Sequence, residues 1–556
     1  MLQIKGFEEI PAETRQVAEA AFPKGNQIMA IRDQLGPVYT DEQFQDLFPG
    51  RGQPAESPSR LALVTVLQFM EGLTDRQAAD AVRGRIDWKY ALGLELTDAG
   101  FHYSVLSEFR SRLLMGGAED RLLSILLTVF RARGLLKANG RGRTDSTHVV
   151  AAIRHLNRLE VVGESLRQAL NQLAQTAPEW LKEVALADWH DRYGRRFDSF
   201  HLPDSREKRL LLANQIGQDG YRLLMHAYAP ETPQAVRSAP AIEVLRQVWV
   251  QQYKVDTTGA EVQVLLRASN ELPPAARRIL SPYDPDVRYA RHNDQEWVGY
   301  RTHLTESCDE GAPIHLITHV ETVMATTQDV DVCETIHAGL AEQGLKPTEH
   351  FVDAAYLSAN LLAKAATEDQ IRLVGPVTKL QDVSWQAREQ SGYDASQFTI
   401  EWAARQVTCP NCQASVKWVE NCQDRTGNAV IHVTFAAATC RPCPARPLCT
   451  RSQREGRSMQ LRPQAQHEAL QQARAEGVTE AFRQKYRTRL GVEGTISQAV
   501  RTFELRQTRY RGLIKTHLQA VAIAAAIDLC RFWDYLCGTG LRQTRVSPFA
   551  ALASGT

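Results

Sequence analysis

Three acids stand in segments of the kind that position catalytic carboxylates. Asp145 lies in "RTDSTHV", a short β-like piece beside Arg143. Asp353 lies in "HFVDAAYLS", at the end of a strand that leads into a helix. Glu493 lies in "YRTRLGVEGTISQAVR" (486–501), a basic stretch with helical spacing. Carboxylates at the carboxyl ends of strands in an α/β sheet point into a shared crevice. Three of them from distant segments suit two divalent cations. Two such cations about 4 Å apart activate an attacking oxygen and stabilise the leaving one in phosphodiester cleavage. Each acid also has a plainer reading. Asp145 would cap a helix beginning near Thr147, Asp353 would cap one beginning near Ser358, and Glu493 would form an exposed pair with Arg489.

The residues around Glu493 add to the first reading. On one helix Tyr486, Arg489 and Glu493 stand at i, i+3 and i+7 and share a face. Arg489 is suited to grip a phosphate, Tyr486 to hydrogen-bond or stack, and Glu493 to complete a metal site. Gly491 and Gly494 each cost a helix interior about 1 kcal/mol relative to alanine, which reads as room for a nucleic-acid backbone. Arg501, Arg506, Arg509, Arg511 and Lys515 follow, either as a basic track for phosphates or as a solvated basic face.

A second group of residues has metal-ligand spacing. "CPNC" holds Cys409 and Cys412, and "CRPCPARPLC" holds Cys440, Cys443 and Cys449. Paired C-x2-C turns present thiolates to one tetrahedral zinc ion in a structural, closed site. Four of these five residues are the expected ligands, either as two C-x2-C pairs or as Cys409 with Cys440, Cys443 and Cys449, and Cys422 is spare. Free buried cysteines are the alternative. Cys308, Cys333, Cys530 and Cys537 are isolated and read as core or surface thiols.

The elements that must hold these residues follow from pattern. Residues 41–135 read as helical, with an apolar helix from Arg60, a break at Gly72 and an amphipathic helix from Asp75. This is a helix-turn-helix pattern that helical hairpins without a DNA role share. After the Asp145 strand, helices run from Ala151 to about Val255. Strands then cluster in "DVRYARH", "EWVGYRTHLTES" and "IHLITHVETVMATT", followed by a helix near 329–343, a strand "HFVDAAY", a helix and a strand "IRLVGPV". Three strands followed by α/β alternation predict a mixed sheet with helices on its faces.

The 556 residues exceed one ordinary core, and 43% hydrophobic with 23% charged residues marks a globular chain. The 65 basic and 64 acidic residues nearly cancel to +1, yet Arg and Lys crowd 131–143, 441–463 and 483–515, which permits a basic groove on a neutral protein. The start lacks the apolar core of a signal peptide. "LQAVAIAAAIDLC", the longest apolar run, reads as too short for a membrane span and is broken by Asp528. Ten cysteines favour metal binding in a reducing cytoplasm over a disulfide framework. The expected location is cytoplasmic, with no membrane partner.

Taken together these motifs resemble a bacterial insertion-sequence DDE transposase, specifically the insertion-sequence 1182 family within the group carrying a Tyr-Arg-Glu-Lys signature. "SPSRLALVTVLQFMEGLTDRQAADAVRG" with "FHYSVLSEFRSRL" is similar to its helical N-terminal domain, and "TDSTHV" and "VDAAYLS" to its two aspartate segments. "CRPCPARPLCTRS" is similar to its cysteine-bearing insert, and "YRTRLGVEGTISQAVR…RYRGLIKTHLQ" to its glutamate region. The signature's lysine falls at Val500, one residue before Arg501, and Ala355 stands where the second-aspartate segment usually has glycine.

The resemblance implies an RNase H-like catalytic core in a mixed α/β chain. Residues 1–135 would form the helical DNA-binding and dimerisation domain, 136–150 the first core strand, and 151–280 a helical insertion. Residues 281–380 would complete the core strands, 381–465 form the cysteine-rich zinc insertion, and 466–556 supply the C-terminal helices with the glutamate. It implies Asp145, Asp353 and Glu493 as the catalytic triad on two Mg²⁺ ions, with Mn²⁺ as an acceptable substitute. DNA contacts would come from Tyr486, Arg489, Arg501, Arg506, Arg509 and Lys515. The expected partners are double-stranded DNA, as terminal inverted repeats and target, and a second copy on paired ends, nucleoid-associated when bound. The expected activity is DNA cleavage and strand transfer. Its rivals are a transposase-derived regulator without catalysis and a nuclease that does not join.

Overall fold

Helix formation near the N-terminus follows local signals. Ser57 accepts a hydrogen bond from the Arg60 amide and Pro58 fills the first helical position, so α1 (Pro58–Met70) starts two residues before the expected Arg60. The chain turns at Gly72 with φ +69°, a conformation open to a residue without Cβ. Thr74 and Gln77 then form a reciprocal cap on the helix Asp75–Gly84. The helix Ser104–Met115 and α2 (Arg121–Ala132) follow. This computed structural model describes residues 2, 4, 9–197, 202–259, 261–292, 294–377, 384–389 and 391–539.

Six strands form the main sheet: β1 (Arg141–Val150), β2 (Arg288–His292), β3 (Gln295–Ser307), β4 (Ile317–Met324), β5 (Glu349–Phe351) and β6 (Arg372–Val374). The long β3 is antiparallel to β1, and also pairs with β2 through its first part and with β4 through its second. β1, β5 and β6 are parallel, with Arg143 opposite Phe351 and Phe351 opposite Val374. Between β4 and β5 runs α3 (Asp329–Glu342). This is the mixed sheet expected from the strand pattern. No helix begins at Thr147, which lies within β1, so Asp145 is a strand residue and not a cap.

Between β1 and β2 the helices Arg158–Thr176, Arg206–Ala227 and Pro240–Gln252 enclose their own core around Leu166, Ile216, Leu223, Ile242 and Leu245. The helical stretch stops at Gln252 and not at Val255. Tyr253–Asp256 pairs instead with Gln263–Leu266, since "YKVD" and "QVLL" carry the β-branched and aromatic residues that suit a hairpin. The cysteine-bearing segment is β-rich. Lys417–Gln423, Ala429–Thr434 and Ser458–Leu461 form a three-stranded sheet over Phe398, Val407, Val433 and Phe435.

The C-terminal part comprises α4 (Glu480–Tyr486), a 3₁₀ turn at Arg487–Leu490, α5 (Gly491–Phe503) and α6 (Leu513–Leu536). α6 lies against β4, α1 and α2. The apolar run is longer in the fold than the sequence suggests: α6 has 24 residues, enough by length and composition to cross a membrane, and 72% of its apolar window is buried inside the protein. Alanines at 520, 522 and 524–526 are fully or almost fully buried and let neighbouring elements approach this helix closely. One continuous core joins α1, α2, α3, β3, β4 and α6, so the N-terminal helices and the sheet are packed as one body.

Candidate active site and metal-ligand clusters

The β1–β5 register brings the two aspartates together. Arg143 sits opposite Phe351; two residues further on are Asp145, still on β1, and Asp353, just past the end of β5. Successive strand side chains alternate between faces, so Arg143, Asp145, Phe351 and Asp353 share the face covered by α4 and α5. Each aspartate is oriented by its own chain. Asp145 Oδ1 accepts from the Ser146 amide (2.8 Å) and Asp353 Oδ1 from the Ala354 amide (2.6 Å). Asp353 caps the short turn Ala354–Tyr356, while the helix Ala359–Lys364 is capped by Ser358.

Glu493 joins them through Arg489. The Arg489 guanidinium places Nη2 2.7 Å from Asp145 Oδ2 and Nη1 2.9 Å from Glu493 Oε1. The Arg489–Glu493 pair of the plain reading therefore exists, but its arginine is largely buried and one guanidinium serves two of the three acids. Arg489 is only 11% exposed and Glu493 57%, so the cluster opens to solvent on the glutamate side. Burial pushes the Asp145 carboxyl above its ordinary value; Arg489 opposes that shift, and Asp353 and Glu493 add to it. The Arg489 Nε is buried and has no hydrogen-bond partner among the described residues. An all-oxygen donor set of three acids with one cation among them fits hard divalent ions.

Tyr486, Arg489 and Glu493 do not lie on one unbroken helix. Arg143 Nη1 takes the Thr488 carbonyl (2.6 Å), which an uninterrupted α-helix would give to the Val492 amide, and the chain tightens into the 3₁₀ turn there. The Tyr486 hydroxyl donates to the Val352 carbonyl (3.2 Å), next to Asp353, and its ring stacks on Phe482 (5.7 Å, 6°). Burial pushes the Tyr486 phenol up to about 12. Tyr486 thus anchors α4 to the Asp353 segment.

A buried ion network that sequence reasoning missed holds this arrangement. Glu306 on β3 is inaccessible. It accepts from Arg143 Nε (2.6 Å), from Arg531 Nη1 of α6 (2.8 Å) and from the Thr495 hydroxyl of α5. Burial alone would raise the Glu306 carboxyl, but Arg531, Arg143 and Thr495 overcome it and hold it below its ordinary range. Gly491 belongs to this network: a Cβ there would lie on the Arg143 guanidinium. The room at Gly491 is therefore taken by arginine, whereas nothing lies within 4 Å of a Cβ at Gly494. Only the odd placement of Arg143 two residues before Asp145 hinted at this in the sequence.

The basic residues divide. Arg501 and Lys515 are exposed on α5 and α6. Arg506 and Arg509 lie in the loop between these helices; Arg506 Nε donates to Thr147 on β1 (2.9 Å) and Arg509 Nη1 to the Leu73 carbonyl (2.7 Å). Arg509 also covers Phe69, so this loop is fastened to the hairpin of α1 and Asp75–Gly84.

In the cysteine-bearing segment, burial raises the Cys449 thiol, Arg457 lowers it, and the charges of Cys440, Cys409 and Cys443 raise it further. Those four are electrostatic neighbours. Cys412 is exposed at a left-handed turn (φ +57°) and donates its amide to the Cys409 carbonyl (2.8 Å). Cys422 sits on the Lys417–Gln423 strand at its bulge.

Two stretches of the chain match protein-family models. Residues 408–533, which contain the cysteines and Glu493, match a transposase DDE domain. Residues 16–112, which contain α1 and the helix Asp75–Gly84, match a transposase domain designated DUF772. The chain is thus similar to transposases at two separated stretches. No curated protein and no solved structure matches it.

Proposed function

We propose that the chain is a DDE-class DNA transposase that binds the terminal inverted repeats of its own insertion sequence, cleaves DNA and joins the liberated 3′-OH to a target. The convergence of Asp145, Asp353 and Glu493 from three distant segments carries this reading. The two transposase-domain matches support it. The strand order, with three antiparallel strands followed by two parallel ones on the β1 side, supports an RNase H-like core. The signature around Glu493 supports the insertion-sequence 1182 family.

Asp145, Asp353 and Glu493 would hold two Mg²⁺ ions, which supply activation of the attacking oxygen and stabilisation of charge at the phosphorus. The chain's own residues do the rest. Arg489 restrains the mutual repulsion of the acids by pairing with Asp145 and Glu493. Tyr486 holds the Asp353 segment. The exposed Arg501 and Lys515, with the loop at Arg506 and Arg509, would supply basic contacts to duplex DNA. Cys409, Cys440, Cys443 and Cys449 would hold the structural zinc. A homodimer would keep two element ends together.

The test is a cleavage and strand-transfer assay with Mg²⁺ and a labelled duplex carrying the inverted repeat that flanks the gene, run beside Glu493→Gln. Cuts at the repeat end that vanish in the variant support the catalytic assignment, and joined strands separate a transposase from a nuclease. One observation favours a non-catalytic DNA-binding reading: the Arg489 guanidinium pairs with two of the three acids. In that case Asp145→Ala leaves DNA binding and regulation intact, and neither protein cuts.

A further inference from the structure

On the other face of the same strands lies a second cluster, which the transposase reading does not use. Cys333 and His337 stand one turn apart on α3, and His350 lies on β5 beside Phe351. All three are at most 2% exposed. His337 Nε2 is 2.9 Å from His350 Nδ1 and 3.7 Å from Cys333 Sγ, and the three donor atoms all lie within 4.8 Å of one another. A tetrahedral zinc with bonds of roughly 2.0–2.1 Å to nitrogen and 2.3 Å to sulfur would have edges of about 3.3 Å between nitrogens and 3.6 Å between nitrogen and sulfur.

We propose that Cys333, His337 and His350 bind a zinc ion that ties α3 to the strand leading into Asp353. The surroundings of the two imidazoles support this. A ligating histidine directs its other ring nitrogen to a carboxylate, carbonyl or hydroxyl that fixes its tautomer. His350 Nε2 is 2.6 Å from the Thr144 hydroxyl, and His337 Nδ1 is 3.7 Å from the Asp369 carboxylate. His337 Nδ1 is buried and has no hydrogen-bond partner among the described residues. Asp369 closes a π turn, Ala365–Asp369, which aims its carboxylate back at α3. Such turns recur at functional sites.

The charges and protons balance. Without an ion, the 2.9 Å contact between imidazoles needs one proton, held on His350 Nδ1 and shared with His337 Nε2. On binding, that proton moves to His350 Nε2, where the Thr144 oxygen accepts it, and Thr144 turns its own hydrogen to Thr305 (2.6 Å). Cys333 releases its thiol proton to solvent. The thiolate and Asp369 then neutralise the two positive charges of the ion. The three residues are separated as Cys-x3-His and a further 13 residues, with the last on a different element, so no sequence pattern of paired knuckles reveals them.

The test is the zinc content of the full-length protein, purified without chelators and without metal-affinity resin, by mass spectrometry of the metal. Cys333→Ala, which keeps a small apolar side chain in the core, should hold one equivalent less than the wild type. The Cys440→Ser, Cys443→Ser double variant should keep that equivalent. Equal zinc in the wild type and Cys333→Ala overturns the proposal and leaves a hydrogen-bonded histidine pair. Should Cys333→Ala fail to fold, zinc-edge absorption of the wild type decides: nitrogen in the first shell beside sulfur supports the site, and an all-sulfur shell overturns it.

Discussion

At the residue scale the candidate site turns on Arg489. One guanidinium lies between Asp145 and Glu493, and its position affects how easily Asp145 gives up its proton. Burial, Asp353 and Glu493 all raise the Asp145 carboxyl, and Arg489, with the Ser146 amide after it, opposes them. Arg489→Ala therefore moves the Asp145 titration to higher pH. The acid limb of the kcat/KM profile for cleavage should shift upward by the same amount, read against the wild type in the same metal concentration. An unshifted limb would mean that Asp145 is not the group whose ionisation limits the reaction. The two glycines beside Glu493 separate structure from DNA approach. Gly491→Ala drives a methyl into Arg143 and should cost about 1–3 kcal/mol in denaturant titration. Gly494→Ala meets open space and should stabilise the helix by up to about 1 kcal/mol. If DNA comes close at Gly494, the same variant binds the inverted repeat more weakly despite its greater stability.

At the scale of elements, Glu306 joins β1, β3, α5 and α6 through Arg143, Arg531 and Thr495. The site's carboxylates depend on that junction, because β1 carries Asp145 and α5 carries Glu493. Glu306→Gln removes the counter-charge of the buried Arg143 and the partly buried Arg531 and should cost about 3–5 kcal/mol, measured by chemical denaturation. Its depressed carboxyl contributes stability above its unfolded value that is lost as pH falls through the folded one. Acid denaturation of the wild type should accordingly release this junction, and the Gln variant should lack that part of the acid limb.

Much of this level could be read from the chain. The strands around Asp145 and Asp353, the α1 hairpin with its break at Gly72, and the order β-β-β-α-β-α-β all follow from local alternation and punctuation. The break at Thr488, the role of Gly491 and the Glu306 network could not. They arise where residues hundreds of positions apart meet, and neither periodicity nor spacing records such a meeting. Tyr486 shows the same limit: its spacing put it on a DNA-facing helix surface, whereas a carbonyl on another element takes its hydroxyl.

At the scale of the whole molecule, α6 is the post against which the N-terminal helices and the sheet are both packed, and Asp528 sits inaccessible in its middle. The sequence presented this acid as an interruption of an apolar run. In the fold its Oδ1 accepts from the Ile317 amide (2.8 Å), satisfying the first strand amide of β4, while its Oδ2 has no hydrogen-bond partner among the described residues. Burial pushes this carboxyl far above its ordinary value, with Arg531 and the Ile317 amide only partly opposing it. The folded protein therefore keeps Asp528 protonated where the unfolded chain has lost the proton. Stability associated with this group is full below the unfolded carboxyl value near 3.9 and declines as pH rises toward the folded value, by up to about 1.4 kcal/mol per pH unit. Asp528→Asn preserves the acceptor for Ile317 and removes the ionisation. Its melting temperature should fall less than that of the wild type between pH 5 and pH 9, and the two proteins should converge toward pH 4. Parallel pH profiles for the two would mean that Asp528 is ionised inside the core, its charge balanced by Arg531.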